Sequence, residues 1–200
     1  MAEWAGSALI AGGLLWVATY SVEVIIGVSL GEQSYLDADA SASILEWLWP
    51  ACFMAAIFFL GVGLLVVVAH LRLRGRVPGL VGGLLACVAI AASAFNMLTL
   101  VGVSGEPSAS DGLGFAGVIG VLGGAVFVGV ALLRAKLLRR WVRLGLTLLP
   151  LAFIPAIIAT IPLASVAPEY VVADLPFPVV GLVMAMIGYA ITRDRQVERN

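Results

Sequence analysis

The sequence predicts an all-α polytopic integral membrane protein: six transmembrane helices in a single bundle, with both termini cytoplasmic. Three observations carry that reading. The chain of 200 residues is 62% hydrophobic and 12% charged, where soluble domains run near 45–50% and about 25%. Its apolar residues fall into six stretches, near 4–30, 43–71, 78–103, 111–133, 142–166 and 175–192, each close to the roughly 20 residues that a helix needs to cross about 30 Å of hydrocarbon. All eleven Lys and Arg lie in three clusters, Arg72 to Arg76, Arg134 to Arg143 and Arg193 to Arg199. The loops at the other ends of the spans hold Glu32, Asp37, Asp39, Glu106, Asp111, Glu169 and Asp174 without a basic residue, so the basic ends face the cytoplasm. Lipid offers no partner for a free backbone N–H or C=O, and the stretches lack the alternation of barrel strands, so the spans are helices.

The first span starts at Trp4, after no basic segment, and outruns the roughly 7–15 apolar residues of a signal-peptide core, so it is expected to remain as a span. The second opens on Ser43-Ile44-Leu45-Glu46, a capping box in which each end residue satisfies the other's backbone N–H. Trp47 and Trp49 follow at its outer boundary, while Trp4 and Trp141 mark the inner one. The third and fourth spans repeat small residues at every fourth place: Gly79, Gly83, Cys87 and Ala91, then Gly112, Ala116, Gly120 and Gly124. Such rows let backbones approach, which predicts a tight antiparallel pair at the bundle's centre. Asp111 and Asp174 are expected N-caps of the fourth and sixth spans, with Pro176 in a first turn. Pro150, Pro155 and Pro162 make the fifth span the least regular, because each deletes a helical hydrogen bond.

Several chemistries are excluded. The two cysteines, Cys52 and Cys87, lie at different depths and form no C-x-x-C pair, so both are expected to be buried free thiols. His70, the single histidine, has no ligand partner, so neither a metal nor a haem site is expected, and no lysine lies inside a span to hold a retinal. No cofactor and no nucleic-acid partner are implied. Gly102-Val103-Ser104-Gly105 resembles the G-x-S-G string of intramembrane rhomboid proteases, but that chemistry needs a histidine in a later span, and the single histidine, His70, stands at the opposite membrane face from Ser104. The basic turns read as topogenic charge, able to meet anionic headgroups.

Glu23 is the one acid well inside a span, and an ionisable group in lipid is a functional candidate by default. It shares a helix face with Trp16 and Tyr20. With no Lys or Arg at its depth, it is protonated, hydrogen-bonded to neutral partners or reached by water. Asn96 in the third span and Thr160 in the fifth lie at similar depth, which predicts an outward-facing polar pocket of Glu23, Asn96 and Thr160. The alternative is that Glu23 snorkels to the outer interface.

The leading expectation for function is a non-enzymatic scaffold, accessory or regulatory subunit of the cytoplasmic membrane, with the lipid bilayer and another membrane subunit as partners. The alternative is a small-solute transporter or the substrate-binding subunit of an importer. In size and span count the chain resembles the binding subunits of vitamin uptake systems; those dock a partner through small residues on the first helix, and Ala8 and Gly12 have that spacing. Ten Arg to one Lys, with abundant Ala, Gly, Val and Leu, is the composition of a GC-rich prokaryotic genome.

Overall fold

The computed structural model describes residues 2–30, 44–71, 76–102, 108–163, 167–172 and 175–197. Every regular element among them is helical: α1 (Ala2–Leu30), α2 (Ile44–His70), α3 (Arg76–Leu100), α4 (Ser108–Ala135), α5 (Arg140–Leu148), a 3-10 turn (Leu149–Ala152), α6 (Phe153–Leu163), α7 (Glu169–Val172) and α8 (Pro176–Val197). Five of these, α1 to α4 and α8, are long and apolar enough to cross a membrane.

The predicted fifth span is instead built as helix, 3-10 turn and helix. The Leu149 N–H donates to the Leu146 carbonyl, a three-residue bond that tightens the helix end, and Pro150 then supplies no donor at all. The helix restarts at Phe153, where Pro155 sits in a first turn that has no carbonyl partner to lose.

The predicted close pairing of the third and fourth spans is present, but the bundle's centre is not there. α2 occupies it, packing on α1, α3 and α4, while α8 packs on the far side of α1. The face that α3 offers to α4 also differs from the predicted row. A methyl added at Gly82 would lie 2.9 Å from Val128 Cγ2, and one at Gly120 would lie 2.8 Å from the Leu85 carbonyl oxygen and 3.0 Å from the Ala89 nitrogen. Gly83 meets Val68 of α2 instead, and Cys87 and Ala91 are exposed. A strict four-residue spacing drifts about 40° around the helix at each step, so such a row spirals off the contact, whereas mixed three- and four-residue spacing stays on it. On α4, Gly120 and Gly124 lie in the contact while nothing approaches Gly112. α4 begins at Ser108, which puts Asp111 inside the first turn rather than before it.

A crossing that the sequence reading missed joins α1 to α8. A methyl on Gly188 would meet the Gly6 carbonyl oxygen at 2.6 Å, and one on Gly181 would meet that of Gly13 at 2.6 Å. Two glycine pairs with matching seven-residue spacing thus bring backbone onto backbone over two turns. Gly12 is turned to the other side, where Leu60 of α2 would lie 2.7 Å from its methyl. Half of the small-residue pair expected to receive a partner subunit is therefore occupied within the chain.

Both cysteines are free; Cys52 is half-buried and Cys87 lies on the outer face of α3, contrary to the expected burial. His70 Nδ1 meets the Val66 carbonyl at 2.8 Å. Ser43 of the capping box, Ser104 and the Asp174 cap lie outside the described residues.

Candidate functional site

The interior face of α1 is set by helical spacing. Trp16, Thr19, Tyr20 and Glu23 recur at three- and four-residue steps and turn toward α2 and α8. Trp16 is fully buried, and its ring packs on Phe177 of α8 at 5.7 Å with a 53° tilt. Phe177 meets Phe53 of α2 edge-on at 6.0 Å, and Phe53 stacks on Trp49 at 5.7 Å. These offset and edge-to-face geometries are the ones that aromatic quadrupoles favour. The four rings form a continuous wall running from α1 through α8 to α2.

Glu23 lies behind that wall at 1% exposure, so it does not snorkel to the surface. With Thr19, Tyr20, Trp49, Phe53 and Phe177 it lines a cavity of about 190 Å³. Thr19 Oγ1 donates to the Leu15 carbonyl at 2.9 Å, the local bond that keeps a helical threonine satisfied. Tyr20 reaches further: its hydroxyl donates to the Val171 carbonyl at 2.6 Å, fastening α7 over the end of α1.

On the other side of the wall is a larger cavity of about 570 Å³, which shares Trp49, Phe53 and Phe177 with the first and adds Met54, Asn96 and Phe115 among others. Asn96 is 4% exposed and donates from Nδ2 to Met54 Sδ at 3.5 Å. The structure therefore places two of the predicted pocket residues in adjoining cavities with common aromatic walls. Thr160 is half-buried on α6 and is not among the described residues that line either cavity. α6 packs chiefly on α8, and the neighbouring Ile158 and Ile161 are exposed.

No Lys, Arg or His is among the described residues lining the two cavities, and no group of three potential metal ligands occurs among the described residues. Trp49 Nε1 is buried and makes no hydrogen bond among the described residues, at the wall common to both cavities. No protein-family model, curated protein or solved structure matches the chain. Its chemistry must be read from its own residues.

The aromatic wall was missed at the level of sequence because Trp47 and Trp49 had a sufficient explanation as an interfacial belt. Phe53, one helical turn below Trp49, and Phe177, just after the Pro176 start of α8, were the available signal. Both lie at the same end of the bundle as Glu23 and Asn96, near the starts of their helices where Glu23 and Asn96 are near the ends of theirs.

Proposed function

We propose that the chain is a six-span, non-enzymatic protein of the cytoplasmic membrane that binds a small molecule in the cavities around Glu23, as a carrier or as the substrate-binding subunit of an importer. The observation that carries this reading is a carboxyl group at 1% exposure lining a cavity of about 190 Å³, beside a second cavity of about 570 Å³. Ligand pockets run about 300–1,000 Å³ and combine apolar walls with a few convergent polar groups. A scaffold or accessory subunit has no use for such space and would gain stability by filling it, since interiors are otherwise close-packed.

The topology proposed with it has both termini in the cytoplasm of a prokaryotic cell. Residues Arg140–Leu163, 24 in all over α5, the 3-10 turn and α6, extend about 36 Å at 1.5 Å per residue, enough to supply the sixth crossing. An even number of crossings puts the three basic clusters on one side.

Native mass spectrometry of the protein purified in mild detergent tests the reading. A retained small molecule, lost in a variant whose cavity is filled by Thr19→Trp, is the expected result. Bare protein, or a second polypeptide with no small molecule, contradicts it and favours the scaffold.

A further inference from the structure

We infer that the α4–α5 hairpin is a docking site for an anionic phospholipid, with the lipid phosphate held by Arg134, Arg140 and Arg143 and the acyl chains laid along the apolar surface beside them. The site lies at the basic end of the bundle, away from the two cavities, and stands independently of the binding role proposed above.

Charge is the first ground. Between Asp111 and Glu169 the chain carries five cations, all within Arg134 to Arg143, and no acid. Arg134, Lys136 and Arg140 are exposed and Arg143 is half-buried, and none of the four makes an ion pair among the described residues. α8, which packs on α5, carries Arg193-Asp194-Arg195 at the same end and adds net positive charge. An anion meets complementary charge here.

The backbone gathers these cations into one patch. α4 ends at Ala135 and α5 starts at Arg140, so four residues reverse the chain, and two of them, Lys136 at φ 54° and Leu138 at φ 63°, take the left-handed region. The two arms are pressed together, because a methyl on Gly129 of α4 would run into Thr147 of α5. Arg139 caps α5 without a side-chain bond, as an arginine offers no acceptor. The Val142 and Arg143 N–H groups both donate to the Arg139 carbonyl, so the N–H groups ahead of them receive nothing from the cap side chain at a helix end that favours negative charge. Arg143 Nε is buried in the hairpin and makes no hydrogen bond among the described residues. A phosphate group has oxygens enough for guanidinium forks and helix N–H groups together.

The surface beside the cations selects a lipid over a soluble phosphate. Seven residues return a helix to within about 20° of the same direction. Phe127 therefore shares a face of α4 with Arg134, and Leu148 shares a face of α5 with Trp141; all four are exposed. Each arm thus presents a cation or an indole at its end and an apolar side chain about 10 Å deeper, at 1.5 Å of rise per residue. That is the order of a phospholipid, charged head first and hydrocarbon beyond, and the Trp141 ring is of the kind that settles at the boundary between them. A zwitterionic head would bring its own cation to a surface already positive, which leaves an anionic head as the better fit.

Native mass spectrometry of the full chain in mild detergent, with dioleoyl phosphatidylglycerol and dioleoyl phosphatidylcholine added in equal amounts, tests the assignment. The anionic lipid is expected to be retained about tenfold over the zwitterionic one, a ratio within reach of two or three cations near a headgroup. Arg134→Gln combined with Arg140→Gln, both exposed positions, is expected to remove most of that preference, whereas Arg72→Gln combined with Arg74→Gln leaves it in place. Excess glycerol phosphate is expected not to displace the lipid. Equal retention of the two lipids by the unsubstituted protein, or a preference that survives the Arg134 and Arg140 substitutions or falls equally with those at Arg72 and Arg74, overturns the site. Displacement by glycerol phosphate overturns the lipid assignment in favour of a soluble phosphate. The comparison of the two lipids in the unsubstituted protein stands even if a variant does not fold.

Discussion

Trp16→Ala is expected to lower the unfolding free energy by about 3 kcal/mol, from roughly 140 Å³ of removed side chain at about 24 cal/mol per Å³ of cavity. The water-to-oil transfer term that adds to such losses in soluble proteins is absent, because the unfolded reference in a membrane is already surrounded by hydrocarbon. What is lost is packing. Trp16 has no exposed surface and is the first ring of the aromatic wall, lying 5.7 Å from Phe177. The substitution is therefore expected to act twice: it destabilises the bundle, and it frees Phe177 to move out of the wall shared by the two cavities, weakening ligand capture. Thermal unfolding in detergent reads the first effect, and retention of the small molecule in native mass spectrometry of the folded fraction reads the second. A stable variant with unchanged binding would show that the wall is not a mechanical unit.

Gly181→Val is expected to have an effect of similar or larger size by the opposite route. Overpacking a tight contact costs about 1–3 kcal/mol and occasionally more. The cost falls at the upper end here because the atom opposed, the Gly13 carbonyl oxygen at 2.6 Å from the added carbon, belongs to backbone and has no rotamer by which to retreat. α1 and α8 must then separate along their length, and Glu23 and Phe177 are carried apart with them. Gly112→Val is the matched control: nothing lies within 4 Å of its added carbon, and little change in stability is expected. If both variants unfold alike, close approach of α1 and α8 is not what holds them together.

Much of this architecture is legible from sequence because lipid enforces simple rules. The stretches corresponding to α1 to α4 and α8 are recognisable from length and hydropathy alone, since a spanning helix must satisfy its own backbone. The break at Leu149–Ala152 is legible in kind from Pro150, though where the helix resumes is not. Face-to-face detail is harder. The α3 surface against α4 runs through Gly82, Ala86 and Ala89, and in an Ala- and Gly-rich helix several rows of small residues compete; only the neighbour decides among them. The Gly6 to Gly13 and Gly181 to Gly188 spacings were equally visible, but helices at opposite ends of the chain carry no local sign that they meet.

The site follows the same division. The depth of Glu23 and the face it shares with Trp16 and Tyr20 leave an inward pocket and snorkelling to the interface both open, and only its 1% exposure in the folded bundle decides between them. That Asn96 lies close to the same wall follows from depth alone, which is a one-dimensional coordinate. Thr160 has the same depth and a different position around the bundle, and depth cannot separate the two. The aromatic wall needs three helices to assemble, so no single segment announces it.

The central claim is that the Glu23 carboxyl faces a cavity shielded from bulk water at the acidic end of the bundle. Carbodiimide labelling mapped by peptide mass spectrometry tests it most directly. A lipid-soluble carbodiimide is predicted to modify Glu23, while a water-soluble one modifies the exposed Glu3 first. Rapid modification of Glu23 by the water-soluble reagent, or none by the lipid-soluble one, would contradict the claim.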